Sequence, residues 1–176
     1  MDRAHLSNVS ENPESKAESD ATYTFLAPDA FRIDRYNLSP AFSSFFPGIA
    51  GAWGKPLWCF YVNRGQCIAS FGVENKDNPI FEFVSASRAY QQTPFRGFRT
   101  FIKYSPAGKL MHVDPDADVW EPFRGASAAM TIYPWELQVS DHDPISGLEV
   151  TARTCTMAGE AFPGLVRLVT IRNTGL

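Results

Sequence analysis

Residues 58–84 read WCFYVNRGQCIASFGVENKDNPIFEFV, two apolar runs joined by Asn63-Arg64-Gly65-Gln66 and a third run following Glu74–Asn78. Within the first run Trp58, Phe60 and Val62 alternate with Cys59 and Tyr61, the period of two that belongs to a β-strand. If Arg64-Gly65 forms a two-residue hairpin turn, Val62 lies opposite Cys67 and Cys59 opposite Ser70. Trp58, Phe60 and Val62 then share a face with Cys67, Ala69, Phe71 and Val73, and Cys59, Tyr61, Ile68 and Ser70 take the other. The stretch predicts a three-strand meander whose aromatics fill the space between two sheets, with turns that are short because antiparallel neighbours need only short connections.

Working outward, the same period recurs. PIFEFVS sets Phe81 and Phe83 around Glu82, and in GFRTFIKY Phe98, Thr100, Ile102 and Tyr104 alternate with Arg99, Phe101 and Lys103. Further strands are predicted at Lys109–Val113, Ala128–Tyr133, Glu136–Val139, Leu148–Thr156 and Leu165–Asn173. PAGK, DPDAD, SDHDPISG and MAGEAFPG between them have the Gly, Pro and Asp chemistry of turns. The one helical piece predicted is short, around Ser39–Phe45, ahead of GIAGAWG. Regular strands without a 3.6-residue period predict an all-β fold, an antiparallel β-sandwich.

Composition agrees with that reading. The 176 residues are 44% hydrophobic, enough for one sizeable core and too few for two full domains. Thirteen prolines and twelve glycines favour short strands with turns over long helices. The formal charge of −3 offers no basic footprint for nucleic acid. No apolar run approaches the roughly 18 residues of a membrane span. Residues 1–22 read as a disordered polar tail without the apolar segment of a secretory signal, and residues 23–176 as the sandwich domain. Cys59 and Cys67 on opposite faces cannot bridge, and with Cys155 remote the three thiols are expected free, as in a cytoplasmic protein. The sequons at Asn8 and Asn37 carry little weight without a signal peptide.

Chemical motifs are scarce. Asp114, Asp116 and Asp118 open like a calcium loop, but Val119 and Gly125 stand where that loop needs Gly and a bidentate Glu. Gly48, Gly51 and Gly54 lack the dinucleotide fingerprint and read as a tight bend. His112, in a strand, and His142, in a turn, have no evident Glu partner for acid–base work, so a minimal mutarotase-like epimerase is disfavoured. No catalytic residue, metal site or cofactor is expected. What remains is a set of polar groups near turns and strand ends: Asn63, Arg64, Gln66, Tyr90, Gln91, Arg96 and Arg99. Amide and guanidinium hydrogen bonds with an aromatic face are what sugars require. The plainer reading makes Arg64 a solvated hairpin tip and Arg99 a strand surface residue.

The segments PGIAG, GKPLW, FYVNRGQ, IASFGV, NKD, AYQ and GFRTF together make the region from Phe46 to Tyr104 resemble the N-terminal part of the 1,2-β-oligoglucan phosphorylases, relatives of cellobiose phosphorylase in glycoside hydrolase family 94. The similarity continues more weakly through EPFRG, residues 128–139 and LVRLVTIRNTG, and does not cover the tail. The resemblance implies part of a galactose-mutarotase-like super-sandwich that is followed in the family by an (α/α)6 barrel. The barrel carries the general-acid Asp and binds phosphate, which attacks the anomeric carbon to give α-glucose 1-phosphate with inversion. It also implies a homodimer whose sandwich lends loops to a site for β-glucan oligosaccharide. NRGQ and AYQQTPFRG are the candidate loops. With the barrel absent before Leu176, the expectation is a fragment inactive by itself. Its sandwich, incomplete at the C-terminus, would leave some of Phe60, Phe71, Phe81 and Phe83 uncovered. The alternative is a free-standing carbohydrate-binding or assembly module.

Overall fold

The computed structural model describes residues 21–26, 28–104, 118–125 and 127–175. The predicted strand Lys109–Val113, the PAGK turn, His112, Asp114, Asp116 and nearly all of the tail lie outside them. Strands β1 (Thr22–Leu26) and β2 (Ala30–Asp34) open the chain, so the strand pattern begins at Thr22, inside the span read as tail. A 3-10 turn at Tyr36–Leu38 leads to β3 (Ser43–Ala50), β4 (Lys55–Val62), β5 (Ile68–Val73) and β6 (Pro79–Phe81). Helix α1 (Ala86–Gln92) precedes a small ribbon of β7 (Ile102–Tyr104) and β8 (Asp118–Trp120). The chain closes with β9 (Ala129–Ile132), β10 (Glu136–Asp143), β11 (Leu148–Thr156) and β12 (Leu165–Asn173).

Every pairing is antiparallel, and the two main sheets run β1-β2-β9-β10-β11-β12 and β3-β4-β5-β6. Between them lies one apolar core. Ile33, Met130, Leu137, Val139, Val150 and Ala152 come from the larger sheet; Phe46, Leu57, Cys59, Tyr61, Ile68 and Phe71 meet them from the smaller. The protein is an antiparallel β-sandwich, as the alternation predicts.

Several local readings give way. Instead of a helix over Ser39–Phe45 there is a 3-10 turn just upstream and then strand β3, an edge strand that tolerates Pro47 because its outer side needs no amide donor. The hairpin register holds beside the turn, where Tyr61 faces Ile68, then shifts by one, so Phe60 meets Ser70 and Cys59 meets Phe71. This bulge leaves Ala69 as the extra residue and reverses the parity of β5. Phe71 therefore turns inward with Tyr61, while Ala69 packs on the outer side with Trp58 and Phe60. Cys59 and Cys67 share the core rather than opposite faces, yet all three cysteines are free.

The aromatics also divide. Phe45, Trp58, Phe60 and Phe83 gather on the outer face of the smaller sheet, with Phe45 and Phe60 ring centroids 4.8 Å apart. Phe60 and Phe71 are buried, so the wet apolar side chains are mostly others: Phe25 on β1, and Val166, Leu168 and Ile171 on β12. Of the four aromatics expected to lack cover, Phe81 alone is exposed. His142 sits on β10 rather than in a turn, facing Glu149 of β11. PIFEFVS and GFRTFIKY contribute only three strand residues each.

Candidate functional site

The NRGQ segment is a five-residue loop rather than a two-residue turn. Val62 N–H donates to Cys67 O at 3.0 Å and Cys67 N–H to Arg64 O at 3.0 Å. Gly65 and Cys67 both take left-handed backbone, at φ 54° and 74°. A side chain at Gly65 would come within 3.1 Å of Thr93 O and 3.2 Å of Pro94 Cα, so glycine lets the loop rest against the end of α1.

Helix α1 arises where ASRAYQQ, rich in good helix formers, runs up to Pro94. It is seven residues long, and Ala89 presses it onto Phe60 and Val62. That docking sets Tyr90 beside the loop. Its hydroxyl donates to Phe42 O and Asn63 Oδ1, and the Arg64 guanidinium lies 5.4 Å over its ring. Partial burial raises the Tyr90 pKa above its ordinary value, against the opposing pull of Arg64.

The structure brings Asn63, Arg64, Gln66 and Tyr90 together, but as a latch. Asn63, with no exposed surface, accepts from Phe42 N–H at 2.9 Å and donates to Tyr36 O, Ser39 Oγ and Pro40 O. Gln66 is buried; its Oε1 accepts from Thr100 N–H and from Arg167 Nη2, each at 2.7 Å, and its Nε2 donates to Thr100 O. Burial lowers the pKa of Arg167. Arg64 is half-buried rather than a solvated tip, donating to Asn63 O at 2.7 Å and Ser39 O at 3.1 Å. Beneath the loop, the buried Tyr36 hydroxyl donates to Gly65 O and Phe123 O, and burial drives its pKa well up. Asn37, the sequon residue, is engaged with Phe123 O and Gly65 N–H.

Arg99 lies apart, half-buried in an ion pair with Glu121 and 4.9 Å over Phe101; its Nε is buried with no partner among the described residues. Gln91 and Arg96 remain exposed, with Phe95 73% exposed between α1 and Arg96. Arg96 lines a pocket of about 140 Å³ with Phe81, Glu82, Gln92 and Thr93. Among the described residues no group of three or more His, Cys, Asp or Glu could hold a metal ion, and no helix is long and apolar enough to cross a membrane.

Sequence reasoning missed Tyr36, Ser39 and Phe42, whose roles depend on contacts with Gly65 and Asn63, 21 to 29 residues away. An aromatic and a serine ahead of a proline gave no signal of a buried network. Fold and site together define an all-β antiparallel sandwich with a rigid polar latch at one end of its smaller sheet. No family model matches the chain, and no curated protein and no solved structure matches it either.

Proposed function

We propose that this chain is the non-catalytic sandwich module of a glycoside phosphorylase of the family 94 type, offering the ridge of α1 to a β-glucan oligosaccharide. One observation carries the reading: the latch holds the NRGQ loop and α1 as one piece whose outer edge presents Gln91, Phe95 and Arg96 to solvent. An amide, a ring and a guanidinium are the groups that grip a pyranose, through its hydroxyls and its C–H face. Because the scaffold beneath them is already ordered, binding loses little further backbone freedom. In the family's scheme an acid on the barrel protonates the glycosidic oxygen as the C1–O bond breaks, while phosphate forms the new C1–O bond on the opposite face. The module's part is to orient the sugar and keep water off it; the same surface serves packing against a second copy.

The test uses a β-1,2-glucooligosaccharide with phosphate. The chain alone should release no glucose 1-phosphate above a no-protein blank, and its ¹⁵N spectrum should shift at Gln91 and Arg96. The double variant Gln91→Ala/Arg96→Ala should lose those shifts. Turnover by the chain alone, or a silent ridge, overturns the reading. A free-standing assembly module is the second reading, favoured by the wet apolar side chains of β1 and β12, Phe25 at 87% and Leu168 at 54% exposure.

A further inference from the structure

The smaller sheet has a second end. It lies roughly 25 Å from the latch, the length of the eight-residue β4 at about 3.3 Å per residue. Three loops converge there. The β3–β4 turn carries Trp53 between Gly51 and Gly54, both left-handed at φ 70° and 67°, and leaves Trp53 96% exposed. Gly51 N–H donates to Glu160 O, which ties this turn to the β11–β12 loop. The β5–β6 turn adds Glu74 and Asn78. Glu74 holds φ 61° although it is not glycine, with its N–H donating to Pro56 O at 2.8 Å. Such backbone strain, kept by its surroundings, gathers at ligand sites. With Lys55 and Pro163 these residues line an open pocket of about 370 Å³, within the roughly 300–1,000 Å³ of small-molecule sites.

The chemistry of the lining selects the ligand. Lys55 and Glu74 lie 3.5 Å apart with their side chains 65% and 46% exposed, so each retains hydrogen-bonding capacity toward a third group. The Asn78 carboxamide makes no hydrogen bond to a described residue. An anion would meet Glu74 and a cation would meet Lys55. A wholly apolar ligand would strip water from three polar heads without replacing it. A neutral ligand with one flat C–H face and a rim of hydroxyls, each both donor and acceptor, satisfies all four groups. We propose that this pocket is a second carbohydrate subsite, in which Trp53 stacks on one face of a hexopyranose while Lys55, Glu74 and Asn78 hydrogen-bond its hydroxyls. The inference rests on the carbohydrate reading but places a subsite where the ridge cannot reach, so a longer glucan could be held at two points.

The experiment titrates ¹⁵N-labelled chain with β-1,2-glucotriose. The Trp53 indole N–H and the Asn78 side-chain amide should shift together and saturate. Trp53→Ala should weaken this binding roughly tenfold and Asn78→Ala about threefold, in line with the loss of a stacking face and of a hydrogen bond. Both positions are exposed, so the fold should survive either change. Trp135→Ala, at another exposed tryptophan, should leave affinity unchanged. Shifts confined to Gln91 and Arg96, with Trp53→Ala binding like the parent, overturn the subsite and leave the ridge standing. Shifts confined to the pocket do the reverse. A spectrum unchanged everywhere overturns both.

Discussion

With its side chain out of water, Asn63 divides one carboxamide among five partners spread over residues 36–42 and α1. Asn63→Ala would leave several of those groups buried and unpaired, each at about 1–3 kcal/mol. A loss of about 3–5 kcal/mol is therefore expected from urea unfolding, and a loss below about 1 kcal/mol would mean that water replaces the amide. Asn63→Asp keeps the accepting oxygen but forfeits the two amide hydrogens shared among Tyr36 O, Ser39 Oγ and Pro40 O, so it too should destabilise. Cys67 gives a second reading at this scale. Burial pushes its thiol up from the ordinary 9.0 to about 12, with Tyr36 and Arg167 opposing. Between those values the folded chain keeps a proton that the unfolded chain has lost, so stability falls as pH rises. The contribution is complete below about pH 9 and is lost toward pH 12, at up to roughly 1.4 kcal/mol per pH unit. Cys59, raised by burial as well, acts in the same direction. The urea midpoint should drop from about pH 8.5 to about pH 10.5, less steeply in Cys67→Ala; a flat midpoint would refute the assignment. The sequence disclosed the residue types of the candidate site but not their use. Asn63 and Gln66 look like free sugar contacts until their partners, 21 residues away at Phe42 and 101 away at Arg167, are in place.

At the scale of elements, the two sheets touch where Gly48 of β3 lies against Thr156 of β11. A Cβ on Gly48 would lie 1.8 Å from Thr156 Oγ1 and 2.4 Å from Thr156 Cβ, so no rotamer of Thr156 relieves the clash. Gly48→Ala should cost about 3 kcal/mol, at the upper end for overpacking, and shift the cross-peaks of β11. Gly125→Ala, whose Cβ would meet nothing nearer than Ser127 Oγ at 3.6 Å, is the control and should be near neutral. Equal stability of the two variants would show that the strands separate without cost. What could be read of these elements follows from pattern length. LEVTARTCT and LVRLVTIRN each run nine residues rich in β-branched side chains, and both strands reach the predicted ends. Helix α1, at seven residues, spans too few turns for a 3.6 period to emerge from its flanks. Pro47 and Gly48 hid β3, because neither residue is a strand former in general and only the edge position and the close approach of β11 make them suitable here. The bulge beside Ala69 has no sequence signature, so the inward turn of Phe71 could not be foreseen.

At the scale of the whole molecule, the larger sheet ends in two exposed strands, β1 and β12. Nine residues long, β12 carries no Pro or Lys, and its Val166, Leu168 and Ile171 are 38%, 54% and 53% exposed. Those features favour strand addition, since an unguarded edge presents a row of free amides and carbonyls beside apolar side chains. Two copies meeting antiparallel about Val169 would set Leu168 against Thr170 and Arg167 against Ile171, so no like charges face each other. Leu168→Lys puts a charge into that row, where burial against a second strand would strip its water. The parent chain should therefore associate with rising concentration in sedimentation velocity and bind a dye that reports exposed apolar surface. Leu168→Lys should shift the boundary toward monomer and lower the dye signal, with the urea midpoint unchanged because residue 168 is already wet. A parent that stays monomeric at high concentration with little dye bound would show that β12 is guarded by its twist and its two arginines, and the assembly reading would then lose its support.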